Sequence, residues 1–511
     1  MNSAKKSFLA AAVIACALSC TACDDNFSVK EPVFKSGLPE FDNKASDFAK
    51  AFPRQYASYR KNDESTQMTE YKGSINFQKH NDFDPLPRGF KMAQPYLKNL
   101  WLGYPFSYEY NEARGHTLAV KDQLDIDRIN RYAADGKGNM PATCWNCKTP
   151  RMVQWVKQYG DQFWSKDFNE FRQDFDMKDE SISCATCHET TNMELQLYSV
   201  PFKDWLARSG QDWNKTPRNV KRSMICGQCH VEYYFTHKDH GPAAKPVFPW
   251  DNGLEIEQIY NYYEDKGPNN GPFVDFVHAV SGVKMLKAQH PDYETWLTGP
   301  HGTAGVSCAD CHMPYQKQDG KKASSHWWTS PLKDPELHAC RTCHSDKTPE
   351  HLRARVHDVQ ERSFRQLLRA QEESVRSHEA VRLANEYTGE KNANYDALMA
   401  EARTMVRKGQ FFWDMVSAEN SVGFHNPAKT LDTLMSSMDY SQRAVALCLE
   451  ATNGGITAGV SGDIIKLVPP IKEHSRKLQQ DPEHLKSHKW LTYLPLLPKA
   501  DPVWDGNKRI R

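Results

Sequence analysis

The clearest hydrophobic periodicity lies in the last third of the chain. From Glu350 to about Tyr387 the sequence is rich in Arg, Glu, Gln, Ala and Leu, with Val356, Val359, Leu367 and Leu368 at roughly helical intervals, which predicts a long amphipathic helix. A second helix is predicted over about 393–421. A third begins near Thr430, places Leu431, Leu434, Met435, Met438, Val445 and Cys448 on one face, and ends at Asn453-Gly454-Gly455. Cys448 then reads as a core residue, because free cysteine is among the most buried residue types. Upstream the pattern weakens. Residues 24 to about 95 are polar with scattered aromatics, and predict loops and short helices wrapped over the segment that follows. Asp265-Lys266-Gly267-Pro268-Asn269-Asn270-Gly271-Pro272 is a dense turn signal and predicts an exposed loop. After Pro469-Pro470 the periodicity fades and the tail reads as irregular.

Only 39% of the 511 residues are apolar, so a conventional aliphatic core would be thin and something else must help to fill the interior. Lys plus Arg number 65 against 64 Asp plus Glu, a balance that argues for neither nucleic acid nor an anionic membrane surface. The first residues have the form of an export signal over 1–23: Lys5 and Lys6, an apolar run from Phe8 to Leu18, then small residues. That run is too short for a membrane anchor, and no other stretch is long and apolar enough to span a bilayer. Ala17-Leu18-Ser19-Cys20 and Cys20-Thr21-Ala22-Cys23 both resemble a lipid-attachment site, although Leu is absent three residues before either cysteine. Plain cleavage near residue 23, releasing a periplasmic protein, is the alternative.

Ten of the fourteen cysteines form five Cys-x-x-Cys pairs, and Cys16, Cys20, Cys23 and Cys448 stand outside them. His188 follows Cys184/Cys187, His230 follows Cys226/Cys229, His312 follows Cys308/Cys311 and His344 follows Cys340/Cys343. Zinc competes for any such pair. A histidine directly after the second cysteine, four times over in an exported chain, instead matches covalent haem c, in which two thiols bind the porphyrin and the histidine ligates iron. The fifth pair, Cys144 and Cys147, is followed by Lys148. Taken alone its competing reading is a stray Cys-x-x-Cys, a redox or structural pair. Beside four intact motifs it reads as a haem whose proximal ligand is a lysine amine, leaving the other face of the iron open to substrate. Sixteen of the twenty histidines lie outside these motifs, so second ligands for four haems are in ample supply, and composition does not say which serve.

Cys144-Trp145-Asn146-Cys147-Lys148 followed by four Cys-x-x-Cys-His motifs resembles the pentahaem, ammonia-forming cytochrome c nitrite reductase family, over about residues 95–430. Glu112-Ala113-Arg114-Gly115-His116, Cys229-His230-Val231-Glu232-Tyr233 and Lys287-Ala288-Gln289-His290 match family segments of the active site and a calcium site. The resemblance implies Lys148 on haem 1, His188 with His326 on haem 2, His230 with His116 on haem 3, His312 with His425 on haem 4, and His344 with His301 on haem 5. It implies Arg114, Tyr233 and His290 as catalytic residues. It also implies one calcium ion on the Glu232 carboxylate, the Gln289 side-chain carbonyl and the main-chain carbonyls of Tyr233 and Lys287, the hard oxygen ligands that calcium takes. His237, His240, His278 and His338 match no family role and read as surface residues or as neighbours of ligands.

The expected fold is therefore mainly α, a multihaem cytochrome c fold with haems packed among helices and long C-terminal helices. Residues 24–348 form the haem-binding catalytic region. Residues 349–511 form the long-helix region of the same domain, which supplies one haem ligand and the dimer interface. The function implied is six-electron reduction of nitrite to ammonium, with a membrane quinol dehydrogenase or a multihaem cytochrome as donor and a homodimer as the assembly. Two alternatives remain: an electron-transfer cytochrome without substrate chemistry, and a related reductase acting mainly on hydroxylamine or sulfite.

Overall fold

A computed structural model describes residues 34–64, 96–104, 115–124, 140–172 and 179–462 except 319, with 69, 71, 94 and 176 singly. The export signal at 1–23, Cys16, Cys20 and Cys23, the tail after Pro470 and Arg114 lie outside the described residues.

The fold is mainly α. The three predicted helices are present as α1 (Pro349–Glu386), α2 (Tyr395–Ala418) and α3 (Pro427–Ala451). Their starts follow from local chemistry. Thr348 accepts the His351 N–H at the head of α1, and Asn426 accepts the Lys429 N–H at the head of α3; each cap is followed by a proline, whose missing N–H costs nothing at a first helical position. Phe364, Leu367, Val375 and Val381 of α1, Met399, Val406 and Trp413 of α2 and Leu434 and Cys448 of α3 share one core. Cys448 is 0% exposed, as its place on the helix predicts.

The buried face of α3 differs from the predicted one. It is carried largely by small residues, Thr430, Thr433, Ser437, Ser441 and Ala444, whereas Met435 is 64% exposed. The cause is close approach of α2. A Cβ on Gly409 would lie 2.9 Å from Ser441 Oγ, and Ser437 Oγ–H donates to the Gly409 carbonyl at 2.6 Å. Bulky side chains would hold the two helices apart.

Among the described residues, the region before α1 is built of short helices and three two-stranded antiparallel ribbons, and aromatic contacts supply much of its packing. Trp145 stacks on Phe168 with ring centres 4.2 Å apart and 1° between planes, and its indole N–H donates to the Phe168 carbonyl at 3.0 Å. The N-terminal segment wraps this region: Ala45 N–H donates to the Asp179 carbonyl, Ser183 Oγ–H to the Asn43 carbonyl, and His326 N–H to Ser58 Oγ. The ribbon pairing Tyr234–Phe235 with Pro246–Val247 follows Tyr233, and the ribbon pairing Phe276–Val277 with Lys284–Met285 leads into Lys287. Among the described residues no helix is long and apolar enough to cross a membrane.

Candidate active site and metal centres

Each Cys-x-x-Cys pair sits on or at the end of a short helical turn: Ala142–Cys147, Cys184–Thr186, the end of Arg218–Gly227, Cys308–His312 and His338–Arg341. Such turns put two thiols three residues apart on one side. All ten cysteines are free of disulfides. The turns also lie close together. Cys147 meets Cys229, Cys226 meets Cys308, and Cys311 lies near Cys340 and Cys343, while Gln228 Nε2–H donates to the Thr186 carbonyl. The motifs therefore run first, third, fourth, fifth in space, with the second beside the third.

Each of the four motif histidines faces a second histidine. Ring centres are 5.9 Å apart for His116 and His230, and 6.4 Å apart for His188 and His326, His301 and His344, and His312 and His425. Two imidazoles on opposite sides of one metal, each bonded through a ring nitrogen at about 2.0 Å, have centres roughly 6.3 Å apart. The donor sets and spacing thus fit a six-coordinate haem iron between each pair. Trp328 packs edge-on to His116 at 5.2 Å and lies 6.3 Å from His326, joining the partners of the second and third motifs. The His301 and His425 loops abut so closely that a Cβ on Gly299 would fall on the His425 carbonyl oxygen.

The first motif has no facing histidine in these pairs. Lys148 follows the turn, its N–H bonded to the Trp145 carbonyl at 3.0 Å, and among the described residues its amine enters no ion pair. It lies near both His116 and His290. His290 stands 6.5 Å from Tyr233, ring centre to ring centre. Two main-chain bonds hold the segments carrying them side by side: His290 N–H to the Val231 carbonyl, 3.2 Å, and Tyr293 N–H to the His230 carbonyl, 3.0 Å. The His290 side chain is exposed. Poor solvation, then the neighbouring His230, lowers its pKa and keeps the imidazole neutral.

The proposed calcium ligands converge on Glu232, which is 1% exposed. Its carboxylate accepts the Gln289 N–H at 2.6 Å and the Tyr263 O–H at 2.8 Å, both neutral donors. Burial pushes its pKa well above the ordinary value, and burial likewise raises Asp275 nearby to about 6. Lys287 does not relieve this negative charge, because its ammonium is bonded to Asp414 at 2.9 Å. A buried carboxylate with only neutral partners, beside the Lys287 and Gln289 carbonyl groups, fits a hard cation. Asp414 also accepts the Ala288 N–H at 3.0 Å, so α2 clamps the segment that carries Gln289 and His290. Replacing Glu232 by Gln is expected to abolish calcium retention and lower turnover by roughly 10²-fold, the cost of misplacing a reacting group by about 1 Å. Chelation of the wild type followed by calcium addition should restore activity, and the variant should not respond; calcium content and steady-state rate check both.

Comparison with known proteins places this arrangement. A family model described as cytochrome c552 matches residues 44–504. The chain is 59% identical to the cytochrome c nitrite reductase subunit NrfA of Nitratidesulfovibrio vulgaris, over 98% of this chain and 96% of that protein. It belongs to the cytochrome c nitrite reductase family. Within that family, the catalytic subunit of Desulfovibrio desulfuricans, described with two calcium sites, has 65% identity and a TM-score of 0.83 over 93% of this chain and 100% of that one. A cytochrome c-552 of Bacteroides fragilis is 34% identical over 81% of this chain and 78% of its own.

Several residues of this nitrite reductase family site carry no sequence signal of their own. Asp414, Asp275 and Tyr263 reach the Glu232–His290 region from distant positions. Asp292 and Glu419 contact His230 and His425, and only their nearness in sequence to His290 and His425 hints at it. His237 and His240 are half-buried at the 264–273 loop, where His240 Nε2 contacts the Gly267 carbonyl oxygen at 2.7 Å, and His338 is exposed. His278 departs from expectation. It is buried, bonded to the Asn99 carbonyl at 2.9 Å and stacked on His378 with centres 3.8 Å apart, in a polar network within the core.

Proposed function

We propose that the chain reduces nitrite to ammonium, NO2− + 6 e− + 8 H+ → NH4+ + 2 H2O, at the Cys144–Lys148 haem. The observation that carries this reading is the contrast between four facing histidine pairs and a first motif flanked instead by Lys148, Tyr233 and His290. Haem c supplies an open iron site at the first motif and one-electron carriers at the other four. Lys148 would ligate the first haem iron, with His290 and Tyr233 placed to meet substrate bound there. Arg114 and His290 offer positive charge and N–H donors to the nitrite oxygens. Tyr233 offers its O–H, and His290, neutral at rest, can take up and pass on protons as negative charge enters beside it. Glu232, Gln289 and the carbonyls of Tyr233 and Lys287 would hold calcium, and the ion would tie the Tyr233 segment to the His290 segment.

The spatial order of the motifs supports an electron route from the fifth through the fourth and third to the first. The donor is a multihaem cytochrome or a membrane quinol dehydrogenase. The export signal at 1–23 supports a periplasmic location, with Cys20 or Cys23 as points of lipid attachment. Exposed Met435 on α3 supports a homodimer joined by the long helices. The test is steady-state reduction of nitrite by a reduced dye with ammonium quantified, alongside hydroxylamine and sulfite. Ammonium at one per six electrons is expected. A protein with five low-spin haems and no ammonium production would be an electron-transfer cytochrome instead.

A further inference from the structure

The histidines assigned to the haems differ in what holds their second ring nitrogen. His188, His312 and His326 place Nδ1 against main-chain carbonyls, those of Met193 at 2.8 Å, Thr329 at 2.9 Å and Ser324 at 3.2 Å. His230 Nδ1 instead hydrogen-bonds Asp292 Oδ2 at 2.9 Å, and His425 Nδ1 lies 2.6 Å from Glu419 Oε1 in a close charge contact that lacks hydrogen-bond alignment. Both carboxylates are buried, Asp292 at 6% and Glu419 at 2% exposure, where an unpaired charge would be costly.

One stretch of chain fixes both. Asn420 N–H donates to Asp292 Oδ1 and Asn420 Nδ2–H to Oδ2, each at 2.7 Å. Glu419 accepts Ser421 N–H at 2.8 Å, Ser421 Oγ–H at 2.9 Å and Gly423 N–H at 3.3 Å. The turn that follows α2 therefore aims one carboxylate at a ligand of haem 3 and the other at a ligand of haem 4. Asp292, Glu419 and His425 present atoms within 4.8 Å of one another, a spacing that would suit a metal ion, but the N–H and O–H donors of Asn420, Ser421 and Gly423, with His230 on Asp292, already occupy the carboxylate oxygens.

We infer that Asp292 and Glu419 are positioning residues that set the reduction potentials of haems 3 and 4 below that of haem 2, both of whose histidines rest on carbonyls. An imidazole that donates Nδ1–H to a carboxylate, as His230 does, gains imidazolate character and becomes a stronger donor to iron, and a buried carboxylate held against the ring, as Glu419 is against His425, stabilises the extra positive charge of the ferric state. A neutral carbonyl does this less. Haems 3 and 4 occupy the interior of the route from the fifth motif to the first, so low potentials there make the final transfer into haem 1 downhill.

The inference rests on the ligand pairs proposed above, and the experiment separates the two. In the full, haem-loaded protein, potentials are measured by spectroelectrochemical titration with electron paramagnetic resonance for wild type, Asp292→Asn, Glu419→Gln, Asp292→Glu and Glu419→Asp. Each neutral variant should raise one low-spin haem, lowering its ferric-to-ferrous ratio at fixed potential about tenfold, about 59 mV for a one-electron couple. The acidic variants should shift back toward wild type, a rescue that a packing role would not produce. If Asp292→Asn does not fold, Glu419→Gln alone carries the test. Unmoved potentials in variants that retain five haems and four low-spin signals overturn the inference. Fewer than four low-spin signals in the wild type overturn the ligand pairs, and the inference with them.

Discussion

Replacing His290 by Ala is expected to lower ammonium production from nitrite by about 10²–10⁴-fold, the range that positioned acid–base groups contribute. The geometry isolates the side chain from the scaffold. The main-chain N–H of His290 is bonded to the Val231 carbonyl and its carbonyl to the Asp292 N–H at 2.7 Å, so truncation leaves the backbone in place. The ring is exposed, so little stability is lost with it. What disappears is a neutral imidazole 6.5 Å from Tyr233, able to donate to an oxyanion and to accept a proton once charge arrives. Haem content by mass and the four low-spin signals should be unchanged. Calcium content must also be unchanged, because Gln289 is the preceding residue and a lost ion would mimic a lost catalytic group. A near-normal rate would remove His290 from the reaction.

The long helices were readable because their apolar residues recur with helical period: predicted bounds of 350–387, about 393–421 and about 430–452 compare with 349–386, 395–418 and 427–451. The face of α3 was not, since hydrophobicity does not reveal a contact made by Ser437, Ser441 and Gly409 through close backbone approach. In the haem region the attachment motifs were legible as covalent chemistry with fixed spacing, whereas secondary structure was not. Short turns there are held by Trp145 on Phe168 and by long-range hydrogen bonds such as Ser58 to His326, and neither leaves a period in the sequence. The facing partners His116, His301, His326 and His425 came from family resemblance, and the fold brings each within 6.4 Å of a motif histidine. Asp292, Glu419 and Asp414 were invisible because a buried carboxylate is defined by what surrounds it. Residues 128 positions apart meet where Asn420 reaches Asp292.

Replacing Lys148 by His is expected to leave five haems attached and to reduce nitrite turnover at least tenfold, as changes to metal-site ligation typically do. Attachment depends on Cys144 and Cys147, which the substitution does not touch. The turn itself should persist, because it is closed by main-chain bonds from Cys144 to Pro141 and from Lys148 to Trp145, and Trp145 is pinned by Phe168. The change is confined to the iron's ligand. A lysine amine is a donor through its lone pair alone and must be neutral to bind, a state that coordination itself maintains. An imidazole is a different donor on a shorter, stiffer side chain. It would make the first motif like the other four, although no histidine faces it among the four pairs. Substrate could still approach, but the iron that receives it would have a different potential and a displaced position relative to Tyr233 and His290. The check is a paired measurement: haem mass to show attachment, and nitrite binding and turnover to show the loss. Unchanged turnover would mean that the lysine is incidental, and the case for the first motif as the reactive site would then rest on Tyr233 and His290 alone.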